Sequence, residues 1–202
     1  MSVAAHGIRG RVRRLDEYRT AARARSELTA WVGMVVFLAS WAMLFASLFF
    51  AYALVRAHAP AWPPLDQPRL PIALPAVNTG VILLSSCTLA RALQAVRSGR
   101  PAARALALTA ALGVAFLALQ ALVWVRLYRE GLVPSGGTYG SAFYTLTLFH
   151  ALHVCVGLGA VAWLAARAAH GATRPLSVRL WTMYWHFVGG VWIFMYATLY
   201  LL

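Results

Sequence analysis

The chain has 202 residues, of which 61% are hydrophobic and only 11% charged. This leaves too little polar surface to cover a water-soluble domain of this size, so the composition predicts a membrane protein. The net charge of +13 comes from arginines that flank apolar segments instead of forming one face, which argues against a nucleic-acid-binding protein.

Residues 1–29 form a basic arm that lacks the apolar stretch and small-residue cleavage site of a signal peptide. If residues 15–25 are helical, Leu15, Tyr18, Ala21 and Ala22 supply one apolar face, and we expect the arm to lie on the cytoplasmic membrane surface. The alternative is a disordered tail that only sets topology. The arginines of the arm are Arg9, Arg11, Arg13, Arg14, Arg19, Arg23 and Arg25.

Five apolar stretches make up the membrane domain that we predict over residues 30–202. Each has the ~20 residues that a helix needs to cross the hydrocarbon core, and none alternates as the strands of a membrane barrel do. The sequence therefore predicts an all-α, polytopic bundle of five transmembrane helices. The stretches are approximately 30–56, 72–96, 102–128, 140–167 and 177–202.

Arginine counts on the two sides of these stretches predict the topology. The arm has seven; the second and fourth connections add Arg91, Arg97, Arg100, Arg104, Arg167, Arg174 and Arg179. The opposite side has only Arg56, Arg69, Arg126 and Arg129. Positive charge concentrates on the cytoplasmic side of membrane proteins, which predicts a cytoplasmic N-terminus and, after five crossings, an external C-terminus.

Three histidines, His150, His153 and His186, lie inside predicted spans. Three imidazoles at one depth suit a haem or a metal ion, so a membrane haem or metal-binding protein is one alternative. No carboxylate within the spans is present to orient such ligands. Neutral histidines that bond neighbouring helices are the interpretation we favour.

Acidic residues are absent from all five stretches. Proton pumps and ion-coupled transporters place carboxylates at membrane depth as relays, so a stand-alone pump or transporter is disfavoured.

Five local patterns follow one another along the chain, and together they resemble subunit III of the haem–copper terminal oxidases, whose short form has five helices. The patterns are Phe37-Leu38-Ala39-Ser40 with Phe49-Phe50-Ala51-Tyr52 and Arg56; Trp62-Pro63-Pro64; Leu74-Pro75 with Asn78-Thr79, Ser85-Ser86 and Thr88; Gly140-Ser141, Phe143-Tyr144, His150, His153-Val154 and Gly157; and Trp185-His186-Phe187-Val188 with Val191-Trp192.

This resemblance implies a non-catalytic subunit of a cytochrome c oxidase in the bacterial inner membrane. Such a subunit packs beside subunit I, which holds the haems and copper, in a complex with subunit II and other respiratory subunits. It retains phospholipid, protects subunit I during turnover and supports proton uptake. The resemblance implies no catalytic residue, cofactor or metal on this chain. The structural or lipid-contacting candidates are Trp41, Asn78, Thr79, His150, His153, Arg167, Trp185 and His186.

Two roles for Arg167 are compatible with that resemblance. It matches an arginine that meets lipid phosphate in relatives, and it is also an ordinary cytoplasmic anchor.

The chain departs from the family where the family carries membrane carboxylates. Trp41, Val123 and Gly189 stand at those three positions. The departures favour assembly, lipid retention and stabilisation over a role in proton uptake. They also keep open a subunit III-like partner of nitric oxide reductase.

Overall fold

A computed structural model describes residues 2–202; in the arm it describes side chains only at residue 14 and from residue 17 onward. Over residues 2–202 the chain forms five α-helices and one π-helical turn, without strands. The predicted all-α fold is thereby confirmed. The elements are α1 (Ser2–His58), α2 (Ala73–Arg97), α3 (Ala103–Arg129), α4 (Thr138–Ala169), α5 (Pro175–Tyr196) and the π turn (Ala197–Leu201).

Four helical segments in this part of the chain are long and apolar enough to cross a membrane: Glu17–His58, α2, α3 and α4. The chain is thus a multi-pass membrane protein. The segment α5 has 22 residues but is not one of the four. Arg179, His186 and several tryptophans and tyrosines make it less apolar. The fifth crossing and the sides of the two termini stay predictions.

The chain divides into two units, residues 1–40 and 41–202. The first unit, as far as it is described, is helical over residues 2–40. The helix considered for residues 15–25 is therefore present, but α1 begins well before residue 30, where the first span was predicted. Tyr18 is 75% exposed on this segment. Docking of the arm on a membrane stays a prediction.

In the second unit, close backbone approaches join α2 with α3, α3 with α4, and α5 with both α2 and α4. The ends of α2, α3 and α4 share one motif, in which a glycine with positive φ follows the helix and the next N–H bonds back to a carbonyl of the last turn. Gly99, Gly131 and Gly171 occupy this position, with φ of 67°, 95° and 68°. The returning bonds measure 2.8–2.9 Å.

Residues 41–58 of α1 touch this bundle through side chains. Phe45 is buried, and the Tyr52 hydroxyl donates to the carbonyl of Thr198 at 3.2 Å. The ring of Trp62, in the first loop, lies between those of Tyr52 and Tyr139, with centroids 5.6 and 4.9 Å away. These three rings fix the end of α1 against the start of α4.

Candidate functional site

Trp185 is the centre of a buried cluster that ties four helices together, which we call the lock layer: Ser85, Gly113, Gly157 and Trp185. The indole N–H of Trp185 donates to the Ser85 hydroxyl at 3.2 Å. Its ring lies on the two glycines, where an added Cβ would come within 2.9 Å of ring atoms at either position. The glycines are required because a rigid indole occupies the space of their missing side chains.

Hydroxyl groups extend the lock layer by one helical turn between α2 and α3. The Ser85 hydroxyl donates to the Thr109 carbonyl at 3.2 Å, and the hydroxyls of Thr88 and Thr109 are 2.8 Å apart. Small hydroxylated residues let membrane helices approach closely and satisfy their polar atoms across the contact. In this layer serine, threonine and tryptophan form the hydrogen bonds between neighbouring helices. Of the three histidines for which such bonds were predicted, His186 makes one, to the Ser86 carbonyl on α2.

A second buried level lies two turns from the lock layer on all four helices. Seven residues are close to two helical turns, so Asn78, Gln120, His150 and Trp192 stand at matching heights on α2 to α5. We call this set the polar layer. Its three polar side chains are at most 1% exposed. Among the described residues, the side-chain nitrogen and oxygen atoms of Asn78 and His150 have no hydrogen-bond partner.

The imidazole of His150 is surrounded by rings. Centroids of Trp192 and Phe116 lie 5.5 and 5.9 Å from it, and that of Phe45 lies 6.4 Å away. Trp192 itself donates its indole N–H to the Thr79 hydroxyl at 2.9 Å. The candidates Asn78, Thr79 and His150 therefore belong to one buried level of the bundle.

His153 faces α1 instead. Its Nδ1 donates to the Phe149 carbonyl at 2.6 Å, and its buried Nε2 has no hydrogen-bond partner among the described residues. The rings of Trp41 and Phe45 meet the imidazole edge-on, with centroids 4.1 and 5.1 Å away. Trp41, which stands where the resemblance implies a carboxylate, therefore presents an indole to this histidine.

His186 is separated from the other two histidines. Its Nε2 donates to the Ser86 carbonyl on α2 at 3.3 Å, and the side chain is exposed. Within the described residues no group of three or more histidines, cysteines or acids is placed to hold a metal ion. The haem or metal alternative needs three imidazoles that meet, and these do not, because α5 directs Trp192 toward His150 and His186 outward.

Arg167 ends α4 on the surface. Its Nε and Nη2 donate to the Ala172 carbonyl at 3.2 and 3.1 Å, and its guanidinium lies 5.0 Å from the centroid of the Trp163 ring. The arginine thus closes the turn after α4 and leaves Nη1 for another partner. Both readings of Arg167 stay open.

Sequence reasoning missed the roles of Gln120, Gly113 and Tyr200. Tyr200 is 7% exposed, and its buried hydroxyl lies beside the Gln120 side chain. The signal for Gln120 and Gly113 was present: they are seven residues apart on α3, the same spacing that separates Asn78 from Ser85 and His150 from Gly157. The sequence alone does not show that these pairs lie at the same two heights, because that depends on how the helices are placed beside one another.

Comparison with known proteins agrees with these motifs. Residues 20–202 match the sequence profile of the family cytochrome c oxidase subunit III. A cytochrome c oxidase subunit 3 from Synechocystis is 37% identical over 176 residues, covering 84% of this chain and 74% of the relative. A probable cytochrome c oxidase subunit 3 from Nocardia farcinica is 36% identical over 175 residues, covering 84% and 86%. The chain belongs to the cytochrome c oxidase subunit III family.

Proposed function

We propose that this protein is a non-catalytic accessory subunit of an aerobic respiratory terminal oxidase in a bacterial inner membrane. It packs against the subunit that carries the haems and copper, within a complex that includes subunit II. The match to subunit III over residues 20–202 carries this proposal. The use of the motif residues supports it, because Trp185 and Trp192 bond across helices to Ser85 and Thr79.

Retention of phospholipid is the second part of the proposal. A groove of about 530 Å³ runs between α1 and α5, lined by Phe45, Phe49, Phe187 and Phe194. A neighbouring groove of about 410 Å³ shares two of these phenylalanines and includes Arg56. Apolar walls with a cation at one end suit an acyl chain and its phosphate.

Phospholipid bound to the purified complex tests this part. Ala46 lines the groove between α1 and α5, whereas Ala51 lines a separate groove between α1 and α4. We expect Ala46→Phe to remove one tightly bound lipid per complex and Ala51→Phe to leave that lipid in place. Equal lipid content in wild type and Ala46→Phe contradicts the assignment of the groove.

Stabilisation of the catalytic subunit, rather than delivery of protons, is the third part. The ring of Trp41 on His153 fills a position where the resemblance implies a carboxylate. We therefore expect loss of the subunit to shorten the active lifetime of the enzyme more than it lowers the initial rate.

The experiment that tests the whole proposal is co-purification after extraction in a mild detergent. We expect a partner that contains both haem and copper. The loss of the family carboxylates leaves a second candidate function, a subunit III-like partner of nitric oxide reductase. A complex that reduces nitric oxide and holds no copper favours this alternative. Purification of this chain with no redox protein contradicts both.

A further inference from the structure

Buried hydroxyl groups in this bundle find their partners within the protein. Thr109 donates its hydroxyl to the Ala105 carbonyl at 2.8 Å, and Thr182 donates its hydroxyl to the Val178 carbonyl at 2.7 Å. A carbonyl one turn earlier on the same helix commonly satisfies a hydroxyl in this way. The bundle therefore has a general means of pairing polar atoms in its interior.

Asn78 and His150 depart from this pattern. Asn78 is 0% and His150 is 1% exposed, and over the described residues their side-chain nitrogen and oxygen atoms have no hydrogen-bond partner. His153, one turn further along α4, donates Nδ1 to the carbonyl four residues before it. The ring of His150 lies instead among those of Trp192 and Phe116, so its two nitrogens are held inside the bundle.

The two side chains lie at the same level, beside one indole. The Trp192 ring is 5.5 Å from that of His150, and its N–H donates to the hydroxyl of Thr79, the residue after Asn78. Buried polar groups without partners are costly, and in native proteins nearly all of them bond either to protein atoms or to ordered water. The polar layer concentrates this need in one place.

The chemistry of the two groups selects the ligand that fits. The amide of Asn78 offers two N–H donors and an accepting oxygen, and a neutral imidazole offers one donor and one acceptor. No acid lies in α2 to α5, and among the described residues no group of histidines, cysteines or acids could hold a metal ion. A neutral molecule that both donates and accepts is required, and water does both.

Water has a short route to this level. Asn78 lies five residues after Ala73, the first residue of α2, which at ~1.5 Å per residue is about 8 Å from that end of the helix. The polar atoms are sealed in the packed bundle, so the two side chains must turn toward an entering molecule. They do so without breaking a hydrogen bond, because they make none with the described residues.

We propose that the polar layer is an internal water-binding site, in which one or more water molecules hydrogen-bond to Asn78 and His150. Water supplies to these two side chains the partners that hydroxyl groups elsewhere in the bundle find on the backbone. The site belongs to this chain alone, so it does not depend on the identity of the complex in which the chain works.

Two tryptophans of α5 provide a matched comparison within the wild-type chain. Trp185 and Trp192 are 1% and 0% exposed, and each donates its indole N–H to a hydroxyl on α2. X-ray irradiation of the intact complex splits bound water into hydroxyl radicals, which oxidise adjacent side chains and are detected by mass spectrometry. We expect Trp192 to be oxidised several-fold faster than Trp185. Equal rates, or a faster rate at Trp185, overturn the proposal.

A pair of variants tests the part played by Asn78. Asn78→Leu removes the amide at similar volume, and we expect it to lower the oxidation rate of Trp192 to that of Trp185. Thr109→Val is the control, since it also removes a buried polar group, but one that is already bonded within the protein. We expect it to leave the rate at Trp192 unchanged. An unchanged rate in Asn78→Leu contradicts the site.

A high-resolution cryo-electron microscopy map of the wild-type complex provides a test that needs no variant. We expect water density about 2.7–3.2 Å from polar side-chain atoms of Asn78 and His150. A direct hydrogen bond between the two side chains with no water density beside them overturns the proposal. Density at the shorter distances of a metal ion, about 2.0–2.6 Å, overturns it as well.

Discussion

At the scale of single residues, the two glycines under Trp185 matter because of what they lack. A Cβ at Gly157 would lie 2.9 Å from Cε3 of the indole and 3.0 Å from a ring atom of Tyr184. Both neighbours are rigid rings, buried and hydrogen-bonded, so neither yields space without a shift of α5. Close packing therefore depends on glycine here, although glycine is a poor helix former.

We predict that Gly157→Ala destabilises the protein by about 1–3 kcal/mol, the usual cost of overpacking a tight core. The measurement is thermal unfolding of the purified complex or chain in detergent. Gly159→Ala is the control, since nothing lies within 4 Å of a Cβ added on that residue of the same helix. A melting temperature equal in both variants contradicts the role of the lock layer.

A second prediction at this scale follows from Trp41, which stands where the resemblance implies a carboxylate within the membrane. Lipid-soluble carbodiimides modify carboxyl groups that stay protonated in apolar surroundings, and no acid lies within residues 30–58 or in α2 to α5. Asp66 lies in the first loop, and Glu130 follows α3, where it pairs with Arg126 at 2.8 Å. Both carboxyl groups therefore lie outside the apolar setting in which the reagent acts.

We expect a hydrophobic carbodiimide to leave this subunit unlabelled, as measured by mass spectrometry of the treated complex. Stoichiometric labelling of this chain would show that one of its carboxyl groups is held in an apolar setting after all.

The residue scale also shows how far sequence reasoning reaches. Hydropathy placed His150 and His153 inside a span and motif order identified Trp185, because those signals are local. The separation of His186 from the other two histidines was not predictable, since the rotation of α5 about its axis is decided by packing. The indole of Trp185 and the glycines beneath it fix that rotation.

At the scale of elements, predicted and observed helices agree best in α2, α3 and α4, where glycine ends the helix. Predicted bounds of 72–96 and 102–128 compare with Ala73–Arg97 and Ala103–Arg129. The start of α1 was misplaced because hydropathy reports membrane depth, not helicity. The backbone N–H and C=O groups of the polar arm form hydrogen bonds within a helix just as those of the span do.

We predict that the helical arm binds anionic membrane surfaces. Seven arginines near anionic headgroups contribute on the order of 1 kcal/mol each. Limited trypsin digestion of inside-out vesicles measures this, and we expect slower cleavage at Arg14, Arg19, Arg23 and Arg25 when anionic lipid is present. Rapid cleavage at every arginine, whatever the lipid, would instead leave the arm as an undocked segment.

At the scale of the whole molecule, the interior of the bundle is organised in levels. The polar side chains of the lock layer, Ser85 and Trp185, are hydrogen-bonded. In the polar layer two turns away, Asn78 and His150 have no hydrogen-bond partner within the part of the chain that the structure describes. Aromatic rings surround His150, and His186 lies elsewhere. The bundle thus presents no converging set of imidazoles to an iron or copper ion.

We therefore predict that the isolated chain binds neither haem nor copper. An optical spectrum and metal analysis of the purified chain provide the measurement, and His153→Ala serves as the control. A Soret band that follows this chain through purification and disappears in His153→Ala would refute the prediction and revive the haem-protein alternative.

The attachment of residues 41–58 has a consequence for how the chain is made. Those residues are synthesised before the rest of the bundle, yet the Tyr52 hydroxyl bonds the carbonyl of Thr198, 146 residues later. The ring of Phe49 also meets that of Phe194 edge-on, with centroids 4.6 Å apart. The first span therefore completes its contacts only when synthesis is nearly finished, while α2 and α3 can pair as soon as both have left the ribosome. Ribosome stalling before residue 194 leaves this span without its contacts on α5 and the π turn.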